Sequence, residues 1–176
     1  MASFPDRLIG ALKLQPATFD EVERDNNATA QAAVVVIIGS IASSIWLLRL
    51  GWFGWMMRQV LTTLIAWAIG AAVIWLLGTR VIPGKNTQAD FWQVLRPLGF
   101  AYAPAIFLVL AIIPVLGYLI GLIVMIWILA AAVIATRQAL DYDDTAKAVI
   151  VVVLGLAAFW VLSFLTGPYP YGRWYY

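Results

Sequence analysis

Charged residues are absent from four long stretches of this 176-residue chain, and these stretches constrain its fold more than any other feature. They cover residues 26–48, 59–79, 97–136 and 148–172. A transmembrane helix needs roughly 20 consecutive apolar residues. The first, second and fourth stretches therefore fit one helix each, and the 40-residue third stretch fits two. The sequence predicts an all-α integral membrane protein built as a bundle of five transmembrane helices.

The composition agrees with this interpretation, because 64% of the residues are hydrophobic and only 11% are charged. About a quarter of the residues are charged in ordinary soluble domains. We expect a cytoplasmic amphipathic segment over residues 1–28, a five-helix domain over residues 29–166 and an aromatic extracytoplasmic tail over residues 167–176. The approximate spans are residues 30–48, 59–77, 98–113, 117–135 and 147–165.

The basic residues predict the orientation, since cytoplasmic loops of membrane proteins are enriched in Lys and Arg. Eight basic residues fall on the N-terminal side of the predicted spans and three on the other side. All nine acidic residues also fall on the N-terminal side. We therefore expect a cytoplasmic N terminus, a C terminus outside, and any soluble partner on the cytoplasmic face.

The segment before the first span contains apolar residues at helical spacing: Phe4, Leu8, Ile9 and Leu12. With Arg7 pointing away from them, they predict a short amphipathic helix lying on the membrane. Asp6, Arg7 and Lys13 leave no uninterrupted apolar core, so we expect no cleavable signal peptide. A second, acidic segment starts at Pro16 and offers candidate partner contacts: Pro16, Phe19, Asp20, Glu21 and Glu23. The alternative is that this acidic face is only solvated.

The opposite end is rich in aromatic residues, among them Trp52, Trp55 and Trp174. Aromatic side chains of this kind settle at the headgroup level of a bilayer, so they predict an interfacial belt. The alternative is contact with a neighbouring membrane subunit, for which these three tryptophans are the candidate residues.

Apart from Lys147, the first residue of the last predicted span, no predicted span contains an ionisable Asp, Glu, Lys or Arg side chain. Ion-coupled transporters place such residues within their spans, which argues against that class. The spans also supply neither a general base nor metal ligands, and the chain contains no cysteine and no histidine. We therefore expect no enzymatic activity, no metal and no cofactor.

A pore or passive permease remains the alternative function, because hydroxyl groups contributed by several subunits can line a channel. The candidate lining residues are Ser40, Ser44, Thr62 and Tyr102.

The third stretch has the most distinctive pattern. Pro104 within it removes a backbone hydrogen bond, so the sequence predicts a kinked helix. Pro114 and Gly117 predict an uncharged turn that joins helices three and four in a tight hairpin. Upstream, Thr87-x-x-Asp90 has capping-box spacing and predicts a separate half-buried cytoplasmic helix.

These residues resemble the Yip family, small five-span membrane proteins named for their interaction with Ypt/Rab GTPases. The resemblance covers nearly the whole chain. Its motif residues are Gly99, Phe100, Pro104, Pro114 and Gly117, with phenylalanine at the tyrosine position of the family's Gly-Tyr-x-x-x-Pro signature. The Asp-Leu-Tyr-Gly-Pro motif of eukaryotic members is missing, and the chain resembles the minimal prokaryotic-type version. In that case Rab binding does not transfer.

The leading hypothesis is a non-enzymatic membrane protein that acts as a scaffold or as an accessory subunit of a larger membrane complex. Its expected partners are the lipid bilayer and other membrane proteins or a homo-oligomer, with no nucleic acid. The resemblance to the prokaryotic version implies a location in the prokaryotic plasma membrane.

Overall fold

A computed structural model of the chain describes residues 2–45, 51–85, 87–113 and 116–166, with side chains described up to Ala157. Seven α-helices follow one another in these ranges: α1 Phe4–Leu12, α2 Pro16–Arg24, α3 Ala28–Ser44, α4 Phe53–Leu76, α5 Phe91–Ala101, α6 Leu116–Ala139 and α7 Thr145–Thr166. A π-helical turn, Leu77–Val81, extends α4, and a 3₁₀ helix, Ala103–Ile112, follows α5. The all-α prediction is confirmed.

Three helical segments are long and apolar enough to cross a bilayer: Phe53–Val81, Phe91–Ile112 and Leu116–Ala139. Two shorter apolar helices accompany them, α3 and the described part of α7, Thr145–Ala157. The chain is therefore a multi-pass integral membrane protein, while the count of five spans stays a prediction.

The third predicted span differs from a kinked α-helix. Pro104 has no N–H to continue the α-helical pattern, and α5 ends at Ala101. The chain then continues as the 3₁₀ helix, in which Ala105 N–H donates to the carbonyl of Tyr102 at 2.9 Å. This 3₁₀ helix packs between α3 and α6. Gly39 of α3 allows the close approach, because a Cβ at this position would lie 2.8 Å from the Cβ of Ala105.

The sequence predicted a separate helix that starts at Thr87, and this start is wrong. Asp90, not Thr87, is the N-cap of α5, since its carboxylate accepts from Gln93 N–H at 2.8 Å and Gln93 Oε1 accepts from Asp90 N–H at 2.7 Å. The segment that begins at Phe91 is therefore the first part of the second long helical segment, Phe91–Ile112. Thr87 instead donates to the carbonyl of Leu140 at 2.6 Å and joins two loops.

The N-terminal helix pair, α1 with α2, packs against the bundle, although the sequence predicted a helix lying on the membrane. Ala11, Phe19 and Val22 are fully buried in one core cluster with residues of α3, α5 and α6. Trp127 of α6 donates from Nε1 to the carbonyl of Leu12 at 3.0 Å. Because Trp127 precedes Arg137 by ten residues, this contact lies roughly 15 Å along α6 from its charged end.

A second core cluster connects α4, α5 and α7 with the loop between α6 and α7. In that loop, Tyr142 donates from its hydroxyl to the carbonyl of Ile82 at 2.6 Å. Gly78 packs against the side chain of Leu140, which leaves no room for a Cβ at position 78. The two loops that follow α4 and α6 therefore meet at the same end of the bundle.

Candidate functional site

Arg7 lies at the centre of the best-defined polar cluster. Its side chain is 1% exposed, and Nη2 contacts Glu21 Oε1 at 2.9 Å and Asp25 Oδ2 at 2.7 Å. Nη1 donates to Gln31 Oε1 of α3 at 2.9 Å. One guanidinium thus joins α1, α2 and α3, whereas the sequence had placed Arg7 only on the side of α1 away from its apolar residues. A buried guanidinium needs such partners, because an unpaired buried charge costs several kcal/mol.

The pairing also changes the acidity of both carboxyl groups. The hydrogen bond from Arg7 holds the pKa of Asp25 below its usual range, with help from the backbone N–H of Asn27. The pKa of Glu21 is lowered first by the backbone N–H of Ala2 and then by Arg7. Both groups are therefore ionised at neutral pH, as partners of a buried cation should be.

Arg96 of α5 forms a second buried cluster beside the first. It donates from Nε to Thr29 Oγ1 at 2.9 Å, from Nη1 to the carbonyl of Glu23 at 2.6 Å and from Nη2 to Asn26 Oδ1 at 2.6 Å. Its acceptors lie at the end of α2, in the turn and at the start of α3. Arg96 therefore fixes the turn between α2 and α3 against the bundle.

Glu23 is only 6% exposed. Burial raises its pKa to about 7, and the nearby charges of Asp141 and Asp20 add to the effect, against Arg24 and Arg96. Glu23 is thus a buried acid that changes charge near neutral pH. Because it lies in α2, outside the long apolar helices, this titration takes place at the polar end of the protein.

The candidate contacts in α2 divide into two groups. Pro16, Asp20 and Glu21 reach the surface, where Asp20 pairs with Arg24 at 2.6 Å. Phe19 is fully buried and Glu23 nearly so. The structure therefore removes Phe19 and Glu23 from the set of residues that a partner could touch, because both fill the space between α2 and the bundle.

The motif residues Gly99, Phe100 and Pro104 lie where several helices converge. A Cβ at position 99 would lie 2.7 Å from Ala32 Cβ of α3 and 2.9 Å from Trp67 of α4. Phe100 is fully buried and makes an edge contact with Phe4 of α1, with ring centroids 6.3 Å apart. Pro104 is also fully buried. These three residues are positioned for helix packing.

The hairpin residue Gly117 has a similar steric role. A Cβ on it would overlap the carbonyl oxygen of Ala111, and its N–H donates to the carbonyl of Ile113 at 2.8 Å. Its motif partner Pro114 lies outside the described residues. The glycine is needed here because α6 starts directly against the preceding 3₁₀ helix.

The aromatic candidates Trp52 and Trp55 are exposed, with 49% and 57% of their surface accessible. The guanidinium of Arg58 lies 5.1 Å from the ring of Trp55, a cation–π contact that an exposed pair can form. Trp174 lies outside the described residues. The two described tryptophans are available either to the bilayer headgroups or to a neighbouring subunit.

The candidate pore residues do not line one cavity together. Ser40 and Ser44 are buried and donate within α3, to the carbonyls of Ile37 at 2.9 Å and Ser40 at 2.6 Å. Thr62 is exposed and donates to the carbonyl of Arg58 at 2.8 Å. Tyr102 borders an apolar cavity that none of the other three reaches. These contacts give no support to a polar path through one copy of the chain.

Among the described residues there is no cluster of three or more His, Cys, Asp or Glu side chains that could hold a metal ion. The hydrogen bonds that Arg7 and Arg96 form are all directed at other protein groups, and Arg7 Nε is buried without a partner. Their arrangement holds helices together and offers no reacting group beside an open cavity.

Sequence reasoning missed both buried arginines, although each had a signal. Glu21 and Asp25 are four residues apart, so they share one face of a helical turn and can accept one guanidinium. Arg96 directly precedes the motif stretch at the edge of an apolar run. A cation at the edge of a span usually reaches towards water, and for that reason its burial was not predicted.

Comparison with protein families finds that residues 9–165 match the Yip1 domain. The match covers nearly the whole chain and includes α2 to α7, together with the motif residues described above. Neither a curated protein nor a solved structure matches the chain significantly.

Proposed function

The chain belongs to the Yip1 domain family, and we propose that it acts as a non-enzymatic scaffold or accessory subunit that organises membrane partners. Members of this family are generally non-enzymatic membrane trafficking proteins. The contacts of this chain favour a binding function, since the clusters around Arg7 and Arg96 hold the exposed surface of α2 in place. We assign the N terminus to the cytoplasm on the distribution of basic residues.

The observation that carries the proposal is the fixed position of α2. Arg7 and Arg96 donate hydrogen bonds to Glu21 and to the carbonyl of Glu23 in α2, and Arg7 also binds Asp25 directly after it. Their other three hydrogen bonds, to Asn26, Thr29 and Gln31, hold the following turn and α3. The surface of α2, with Pro16, Asp20 and Glu21, is therefore presented in one orientation. A surface that is already ordered loses less conformational entropy on binding, which favours its use as a docking site.

The acidic character of this surface indicates a basic or polar partner segment. The partner's Lys or Arg side chains would meet the partly exposed Glu21, and Asp20 in competition with its exposed partner Arg24. Charge pairs at such a rim affect the association rate and specificity more than the affinity. The exposed Trp52 and Trp55 at the other end would supply the contacts of an accessory subunit within the membrane.

The test is extraction of the tagged chain from its native membrane in a mild detergent, followed by mass spectrometry of co-purifying proteins. Asp20→Lys should lose a partner that binds α2. Asp143→Lys is the matched control, because it makes the same charge change on an exposed loop residue at the same end. A partner that both variants retain, or lose alike, would contradict binding through α2.

A chain that purifies only as a homogeneous homo-oligomer would favour the pore instead. Ion flux through vesicles containing the purified protein would then decide, with Tyr102→Phe as the first variant. The scaffold proposal expects no flux above that of empty vesicles.

A further inference from the structure

Helices α4, α6 and α7 border an apolar cavity of about 240 Å³ that is open to the surface of the bundle, and α3 and α5 also contribute to its lining. The residues that bound it include Ala66, Trp67 and Gly70 of α4, Ala132 of α6 and Gly155 of α7. Most of this lining is hydrocarbon. Neither the motif residues nor the polar clusters described above account for this space.

The cavity exists because small residues face it. A Cβ added at Gly70 would meet no atom within 4 Å, whereas one added at Gly155 would lie 3.1 Å from Ile74. The space beside Gly70 is therefore real room for a further group. Gly70 and Ala66 stand four residues apart on one face of α4, a spacing usually filled by close packing of a neighbouring helix.

Water is a poor occupant of this space, because a buried water needs two to four polar partners and apolar cavities stay dry. An empty cavity would leave its lining without dispersion contacts on one side. The cavity exceeds the apolar cavity of about 150 Å³ that accepts benzene. A helix of a second copy, about 10 Å or more in diameter, is too wide to enter it.

The surroundings identify the occupant. Leu61 and Ile65 on α4 and Val153 on α7 expose 56% to 61% of their surface, so apolar side chains flank these helices on the outside. In a multi-pass membrane protein such a surface faces the hydrocarbon of lipids. The cavity is open to the surface of the bundle, which gives the same hydrocarbon access to it.

The depth of the cavity also suits a lipid chain. Ala132 lies five residues before Arg137, and Val152 lies five residues after Lys147. At 1.5 Å per residue, the cavity begins roughly 8 Å below the level of these basic residues. Hydrocarbon begins at about this distance when a lipid's phosphate lies at the level of the basic side chains.

From these contacts we propose that the cavity binds one acyl chain of a membrane phospholipid. The chain enters between the helices with its head group at the basic end and lies against Trp67 and Gly70. This site is separate from the surface of α2, so it does not depend on the scaffold proposal.

The first test uses native mass spectrometry of the protein purified in mild detergent with phosphatidylcholine added. Gly70→Leu fills the cavity, and Gly121→Leu is the matched control, because position 121 of α6 also has open space around it but does not border the cavity. We expect one retained lipid on the wild type and on Gly121→Leu, and binding weaker by roughly tenfold or more on Gly70→Leu. Equal retention by all three proteins would overturn the proposal.

The second measurement does not depend on how Gly70→Leu folds. A dibrominated phosphatidylcholine is added to the detergent-purified wild type and to Trp67→Phe, and the difference between their fluorescence gives the Trp67 signal. We expect this signal to be quenched saturably at about one lipid per protein. Quenching that rises without saturation would overturn the site.

Discussion

Arg96 of α5 donates a hydrogen bond from Nη1 to the backbone carbonyl of Glu23 in α2 at 2.6 Å. The same guanidinium bonds Asn26 and Thr29. A residue three positions before the motif glycine Gly99 therefore holds the end of α2 and the turn that follows it, and it does so beside a buried carboxyl group whose pKa is about 7. The stability of this junction should depend on Arg96 and on pH.

Replacing Arg96 with alanine should destabilise the protein by about 3 kcal/mol, because three hydrogen bonds from a charged donor are lost and their acceptors remain partly buried. Thermal unfolding in detergent, with hydrogen exchange of α2, measures both the loss and its location. The matched control is Arg80→Ala, since Arg80 is exposed and should change stability by less than about 0.5 kcal/mol. Equal effects of the two variants would contradict the role of Arg96.

Glu23→Gln should remove a pH dependence of stability. The folded-state pKa of Glu23 is raised from 4.5 to about 7, so its contribution is fully present below pH 4.5 and is lost as the pH rises through 7. Each pKa unit corresponds to about 1.4 kcal/mol, which gives an upper limit near 3 kcal/mol for the change.

Unfolding measured at pH 4 and pH 8 tests this directly. The free energy of unfolding of Glu23→Gln should equal that of the wild type at pH 4, because Gln is a neutral analogue of the protonated acid. At pH 8 the free energy of unfolding of the variant should exceed that of the wild type. Asp20→Asn is the control, because Asp20 lies in the same helix and is partly exposed. If the difference in free energy of unfolding between the wild type and Glu23→Gln is the same at pH 4 and pH 8, Glu23 does not titrate in this range.

Gly99→Ala should cost about 1–3 kcal/mol, because the new methyl group would overlap Ala32 and Trp67 and force α3, α4 and α5 apart. Gly70→Ala is the comparison, since its methyl group meets only open space and alanine favours a helix. Thermal stability of the two variants in the same detergent should therefore change in opposite directions. A Gly99→Ala protein as stable as the wild type would show that this helix contact can relax without cost.

The orientation can be tested with single cysteines, because the native chain contains none. Lys85→Cys should be protected from an impermeant thiol reagent in intact cells and become reactive after permeabilisation. Gly54→Cys, exposed at the opposite end, should react in intact cells. Reaction at position 85 in intact cells would reverse the predicted topology.

The motif around Gly99 could be predicted as important from the sequence, although its role in packing could not. A glycine within an apolar stretch indicates a close approach, yet only the fold shows that Ala32 and Trp67 are the neighbours. For the same reason, the sequence could not separate the exposed candidate contacts in α2 from the buried ones. Asp20 and Phe19 both fit a docking surface in sequence, but Phe19 faces the bundle and is buried.

Arg7 shows where sequence reasoning failed. A cation on an amphipathic helix is expected to face water, and only the packing of α1 against α2 and α3 places Glu21, Asp25 and Gln31 around it. The free energy of such a cluster depends on partners distant in sequence, 14 to 24 residues away. Local spacing contains little information about contacts of that kind.

By itself, the sequence determined that this chain forms apolar helices in a membrane, because long stretches without charge can satisfy their backbone groups in a bilayer only as helices. It also determined the family, through motif residues that can be read in order. Only the tertiary structure decided which face of each helix meets a neighbour. The physical reason is that lipid-facing and protein-facing side chains are both apolar within a membrane. Hydrophobic periodicity therefore does not distinguish Gly70, which borders an open cavity, from Gly39, which packs against the 3₁₀ helix.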